Sequence, residues 1–184
     1  VILVTVGSQM AFDRLIAAVD AWAGRTGNKD VFAQIGPSEL EPKNVRWERF
    51  IDPDEFRRKM TEADAVVAHA GMGTILSALE LGKPILVMPR RGELKETRND
   101  HQVATAQRFL ALKRVYVADD ADALANWLDR ITELKATAPI ESRASPELLG
   151  VLRNFALHGR LPTPAAAPGV DAPKGERAAQ EARR

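Results

Sequence analysis

The chain has 184 residues, 45% of them hydrophobic and 28% charged, with a formal net charge of +1. This is a globular composition without the field strength that nucleic-acid binding demands, and the lack of cysteine excludes disulfides, zinc–thiolate sites and cysteine nucleophiles. Three histidines with no spaced ligand pair give no expectation of a metal, and no apolar run reaches the roughly 18–20 residues of a membrane span.

The opening run VILVTV is apolar at nearly every position and reads as a strand buried on both faces, not as a signal peptide. A turn, GSQMAF, leads into a helix whose apolar stripe is Phe12, Leu15, Ile16, Val19 and Trp22, with Asp13 suited to its positive end. DVFAQIG is the second strand and VRWERFI, residues 45–51, the third. DPDEFRRKMTEA is a helix with Asp52 as N-cap and Pro53 at its first position. ADAVVAHAG and KPILVMPR are further strands, separated by the helix GTILSALELG, which Gly82 closes. A polar loop, residues 90–100, precedes the helix DHQVATAQRFLAL, the short strand RVYVA and the helix DADALANWLDRITEL. Strands alternating with helices predict an α/β architecture with a doubly wound, mainly parallel sheet. SPELLGVLRNFALHG is a final helix whose stripe Leu148, Leu152 and Phe155 is read as core, with a partner-docking face as the alternative. Residues 1–160 form one domain on this reading, and the Pro-, Ala- and charge-rich residues 161–184 a disordered tail.

In such sheets ligands bind where carboxyl ends of strands turn into helices. Two glycine corners qualify, TVGSQ after the first strand and AHAGMGT after the fourth. Glycine lets a backbone approach an anion closely, and a helix start offers unpaired N–H groups with a partial positive charge. Ser8 and Thr74 add hydroxyls, so phosphate or pyrophosphate binding is the chemistry implied; tight turns alone would also ask for glycine. The ligand is not held by a P-loop, because GKP follows a helix. A dinucleotide fingerprint fails at Leu76, which stands where its third glycine belongs, and this argues against a dehydrogenase.

TVGSQMAFDRLI, RFI, HAGMGT, ALELGKPILVMPR and RNDHQVATAQRF occur in the order seen in the glycosyltransferase family 28 C-terminal domain. Over about residues 1–118 the chain resembles that domain in its stand-alone form, the catalytic subunit of two-part UDP-sugar transferases. The resemblance implies a Rossmann-like fold equivalent to the C-terminal half of a GT-B glycosyltransferase. It implies a UDP-sugar as donor substrate and no cofactor. Backbone at Phe50 and Ile51 would read the uracil. Gly7, Ser8, Gly71, Met72, Gly73 and Thr74 would hold the diphosphate, and Asp100, His101 and Gln102 would face the sugar. The family carries a carboxylate at the ribose three residues after the corner Ser/Thr; here that position is Ser77, with Glu80 one turn further along the same face.

His69 and His101 are the candidate catalytic side chains, although His69 as a strand-end residue bonded to a loop and His101–Gln102 as capping groups are the plainer readings. Arg90 leads a basic run with Arg91, Lys95 and Arg98, either solvated or directed at the donor diphosphate or an acceptor phosphate. Inverting transfer needs a general base and stabilisation of leaving UDP. The chain has groups for the second and none clearly for the first. The acceptor site, base and membrane anchor are therefore expected on a separate membrane-bound subunit that presents a lipid-linked acceptor. The chain itself is expected in the cytoplasm, recruited to the membrane face. A non-catalytic nucleotide-sugar-binding regulatory subunit is the alternative, and an unrelated Rossmann-like oxidoreductase a weaker third.

Overall fold

Strands β1 (Ile2–Thr5), β2 (Val31–Gln34) and β5 (Ile85–Met88) are buried at every position, and β4 (Ala65–His69) at all but His69. Burial on both faces requires a parallel sheet with helices on either side. The computed structural model, which describes residues 1–141 and 146–159, has that arrangement. Six parallel strands stand in the order β3-β2-β1-β4-β5-β6, with β3 at Arg46–Glu48 and β6 at Tyr116–Val117. The order reverses between β1 and β4, which marks the switch point where a ligand crevice opens.

Two core layers cover the sheet. On one face α1 (Asp13–Thr26) and α5 (Ala121–Leu128) contribute Leu15, Ile16, Val19, Trp22, Leu124 and Leu128. On the other, α2 (Pro53–Glu62), α3 (Met72–Glu80) and α4 (His101–Ala111) contribute Met60, Ile75, Ala78, Leu79 and Ala106. The predicted stripe of α1 is buried in full, Phe12 included. Asp52 caps α2 by accepting from the Glu55 N–H at 2.8 Å, with Pro53 in the first turn. Gly82 ends α3 at φ +61°.

Three expectations shift. β3 has only three residues, because after Glu48 the chain bends out of the sheet and the Arg49 carbonyl is taken by Gly36 N–H at 2.8 Å and Gln34 Nε2 at 2.9 Å. RFI is therefore a strand-end segment rather than strand. α5 stops at Leu128 and is followed by a single 3-10 turn, Ile131–Glu133. At the break, the Asp129 carboxylate accepts from Trp22 Nε1 and Arg25 Nη2 of α1, each at 2.9 Å. α6 (Pro146–His158) belongs to a unit of its own, apart from the sheet domain of residues 1–141. Leu148, Leu152 and Phe155 are about half exposed there instead of forming core. The expected boundary at residue 160 and the tail 161–184 lie outside the described residues. Among the described residues, no helix is long and apolar enough to cross a membrane.

Candidate functional site

At the carboxyl end of β1, Gly7 turns with φ +75°, and both of its peptide groups are tied down. Its N–H donates to Thr5 Oγ1 at 3.3 Å; the Thr5 hydroxyl donates to Gln34 Oε1 at 2.7 Å; Gln34 Nε2 donates back to the Gly7 carbonyl at 3.0 Å. Two residues beyond β5, Arg90 Nη2 donates to the carbonyls of Val6 at 2.8 Å and Met10 at 2.5 Å, while its guanidinium lies 5.1 Å from the centroid of the Phe12 ring. Arg90 is thus buried rather than part of a solvated run, and its Nε is buried without a partner.

The second corner closes on His69. A Cβ on Gly71 would stand 2.1 Å from His69 Nε2, and one on Gly7 would stand 2.9 Å from Cε1, so the ring occupies the space both side chains would need. A Cβ on Gly73 would meet nothing within 4 Å. Gly71 is the N-cap of α3 and supplies no side-chain cap. Among the described residues, the N–H groups of Met72, Gly73 and Thr74 have no protein partner, and Ile75 is the first to bond within the helix, to Gly71 O at 3.1 Å. They are orphan donors at the positive end of a helix dipole.

His69 Nδ1 lies 3.5 Å from the Thr5 carbonyl, at the outer limit of a hydrogen bond. Burial, and then the neighbouring Arg90 charge, push its pKa down from 6.5 to about 4, so the imidazole is neutral at physiological pH. Burial lowers Arg90 from its ordinary value as well, with Glu96 opposing.

The loop before α4 is folded back rather than solvated throughout. Glu96 pairs with Arg14 Nε at 2.7 Å and Nη2 at 2.8 Å, and accepts from the Arg91 N–H at 2.9 Å. Lys95 and Arg98 remain exposed. Asp100 accepts from the Gly92 N–H at 2.8 Å. His101 is exposed, its Nδ1 bonded to Asn99 Oδ1, and buried Gln102 accepts from the Arg90 N–H at 3.2 Å.

These elements surround a polar cavity of about 320 Å³. Gly7, Ser8, His69, Gly71, Gly73, Thr74, Arg90, His101 and Gln102 line it. A second cavity of about 330 Å³ shares Gly7, Ser8 and Thr74 with the first and is walled by Phe50, Ile51, Pro53 and Phe56. A third, of about 280 Å³ between α2 and α3, shares Pro53 and Phe56 with the second and contains Ser77 and Glu80. Of the residues anticipated from the sequence, Met72, which is exposed at the helix start, Asp100, engaged by Gly92, and Arg91, Lys95 and Arg98 of the basic run fall outside these linings. Thr5, Gln34 and Phe56 were not anticipated. Gln34 and Thr5 carry a legible signal, each being a polar residue at the end of an otherwise apolar strand.

The model of the glycosyltransferase family 28 C-terminal domain matches residues 1–147. The UDP-N-acetylglucosamine transferase subunit ALG13 of Mus musculus is 33% identical over 116 residues, 58% of this chain, which spans 10% of that relative's length. ALG13 of Yarrowia lipolytica is 26% identical over 140 residues, 67% of each chain. Among solved structures, the glycosyltransferase SnogD from Streptomyces nogalater is 25% identical with a TM-score of 0.52, covering 72% of this chain and 34% of its own. MurG of Acinetobacter baumannii shares the fold at 16% identity and a TM-score of 0.52, over 70% of this chain and 40% of its own. The Rossmann-like sheet is that of one half of a GT-B glycosyltransferase, and the chain belongs to the glycosyltransferase family 28 C-terminal domain family.

Proposed function

We infer that this chain is the donor-binding subunit of an inverting UDP-sugar hexosyltransferase. The observation that carries the reading is the set of unpartnered N–H groups at the start of α3, beside a fixed Gly7 turn and next to an apolar cavity. A diphosphate fits the first feature and a base the second. In this assignment uracil lies against Phe50, Ile51 and Phe56. The diphosphate takes the N–H groups of Met72, Gly73 and Thr74 with Gly7 and Ser8. The ribose is directed toward Ser77 and Glu80, and the sugar toward His101 and Gln102. The helix start stabilises the charge that grows on UDP as it leaves.

No carboxylate lines either of the first two cavities, His69 is buried and neutral, and His101, in the lining of the polar cavity, is engaged at Nδ1 by Asn99 Oδ1. We assign the general base, the lipid-linked acceptor site and the membrane anchor to a partner subunit that recruits the chain to the cytoplasmic face of a membrane. The relatives named as a transferase subunit support a two-part enzyme. Ser77, at the position where the family carries its ribose carboxylate, favours a second reading, a nucleotide-sugar-binding regulatory subunit without turnover.

Calorimetric titration with UDP, GDP, ADP and NADH tests the donor assignment. Preferential binding of UDP is expected, and preference for another nucleotide, or no binding by the chain even in complex with its partner, overturns it. Sugar transfer by that complex separates the enzyme from the regulatory subunit.

A further inference from the structure

We propose that Gln34 is a positioning residue that sets the base-reading segment against the diphosphate corner, and so determines nucleotide selectivity. The proposal rests on the donor-binding reading above and adds to it the device that couples its two subsites.

Gln34 ends the strand that lies between β1 and β3, in register with Thr5 on one side and Glu48 on the other. Its side chain is buried, and its amide has one workable orientation. Nε2 faces two carbonyls, Gly7 O at 3.0 Å and Arg49 O at 2.9 Å, while Oε1 receives the Thr5 hydroxyl at 2.7 Å. Turned over, the amide would set its oxygen against both carbonyls and lose both bonds. Both N–H bonds of one amide are therefore consumed in joining the phosphate corner to the segment that precedes Phe50.

That segment is also held through the Arg49 side chain, which donates to the Ser38 carbonyl and pairs with Glu41 at 3.0 Å, and through Ile51, which packs on the core. Gly36 N–H also donates to Arg49 O at 2.8 Å; beyond it, among the described residues, no hydrogen bond holds the backbone of Phe50 or Ile51 before the Asp52 cap of α2. Gly36 lets the strand ends come this close, since a Cβ there would stand 2.7 Å from the Gly7 carbonyl, at φ +57°. Gln34 is thus a side chain that bonds both the Gly7 turn and the segment leading to the Phe50–Ile51 wall. A ligand spanning both cavities senses the separation between turn and wall, whereas a ligand confined to the polar cavity does not.

The test is calorimetry on the full chain with UDP, ADP and inorganic pyrophosphate, comparing wild type with Gln34→Met and Gln34→Glu. Both variants keep the side-chain length; Met removes the two donors outright, and Glu, when ionised, replaces them with acceptors. UDP affinity is expected to fall about tenfold, the scale of one good hydrogen bond. Pyrophosphate affinity should fall less than about threefold, and ADP, whose purine is not seated against Phe50 and Ile51 on this reading, should change little, so that the preference for UDP over ADP collapses. A parallel fall for all three ligands, or an unchanged UDP-to-ADP ratio, overturns the proposal. Thermal melts establish that each variant is folded, and if Gln34→Met is not, Gln34→Asn, a neutral amide one methylene too short to reach both carbonyls, carries the same readout. A wild-type chain with no preference for UDP would instead sink the donor-binding reading itself, so the two failures are distinct.

Discussion

The imidazole of His69 occupies the volume that a side chain at Gly71 would need, with Nε2 only 2.1 Å from where a Cβ would stand. Gly73, two residues on, faces open space. The two glycines of one corner therefore differ: the protein's own packing requires the first and places no such demand on the second.

This difference predicts opposite outcomes for the same substitution. Gly71→Ala should destabilise the chain by about 1–3 kcal/mol, as overpacking does, and pairing it with His69→Ala should relieve most of that loss. Gly73→Ala, in the first turn of α3, should be neutral or stabilising by up to about 1 kcal/mol while weakening nucleoside-diphosphate binding. Urea unfolding and calorimetry on the three variants check this. A Gly71→Ala protein as stable as wild type would show that the ring moves aside freely.

The depressed His69 pKa makes stability depend on pH in a defined window. A histidine that stays neutral when folded contributes fully above its ordinary value of 6.5, and the contribution is lost as pH falls toward about 4, because the unfolded chain takes up the proton first. The loss is on the order of 3 kcal/mol across that interval. Unfolding free energies of wild type and His69→Gln, measured at pH 7 and pH 5, should diverge at pH 7 and converge as the pH drops.

Arg90 spends its hydrogen bonds on the Val6 and Met10 carbonyls. Arg90→Met removes that charge from beside His69 and leaves both acceptors unpaired. Stability should fall by about 1–3 kcal/mol, and the His69 pKa, followed by NMR, should rise above its wild-type value. A lower pKa in the variant would contradict the electrostatic account.

The Arg14–Glu96 pair anchors the loop before α4 to the start of α1. Its side chains are only 22% and 11% exposed, so it is not a solvent-screened surface pair. Glu96→Gln should cost about 1–2 kcal/mol and speed hydrogen exchange at the Arg91 amide, which donates to the same carboxylate. Exchange unchanged at Arg91 would mean that the loop is held by other contacts.

The sheet was legible because strands buried on both faces leave continuous apolar runs, and the helices because their stripes and caps repeat at helical spacing. Asp52, Pro53 and Gly82 marked element ends that the structure bears out. Arg90 misled because a basic run in a polar loop reads as solvated, and nothing local indicates that its first member turns inward onto carbonyls contributed by residues 80 or more positions earlier. The exposed face of α6 was equally hidden, since an apolar stripe looks the same whether or not its own unit covers it.

By itself, then, the sequence determined the order and type of the elements, the parallel sheet and the two glycine corners, all of which follow from spacing over a few residues. Only the tertiary structure decided how each corner is packed. It placed His69 against Gly7 and Gly71, left Gly73 facing space, and closed the Thr5–Gln34–Gly7 ring across two strands. Those relations depend on strand register and on distances between residues far apart in the chain, and neither is encoded in local periodicity.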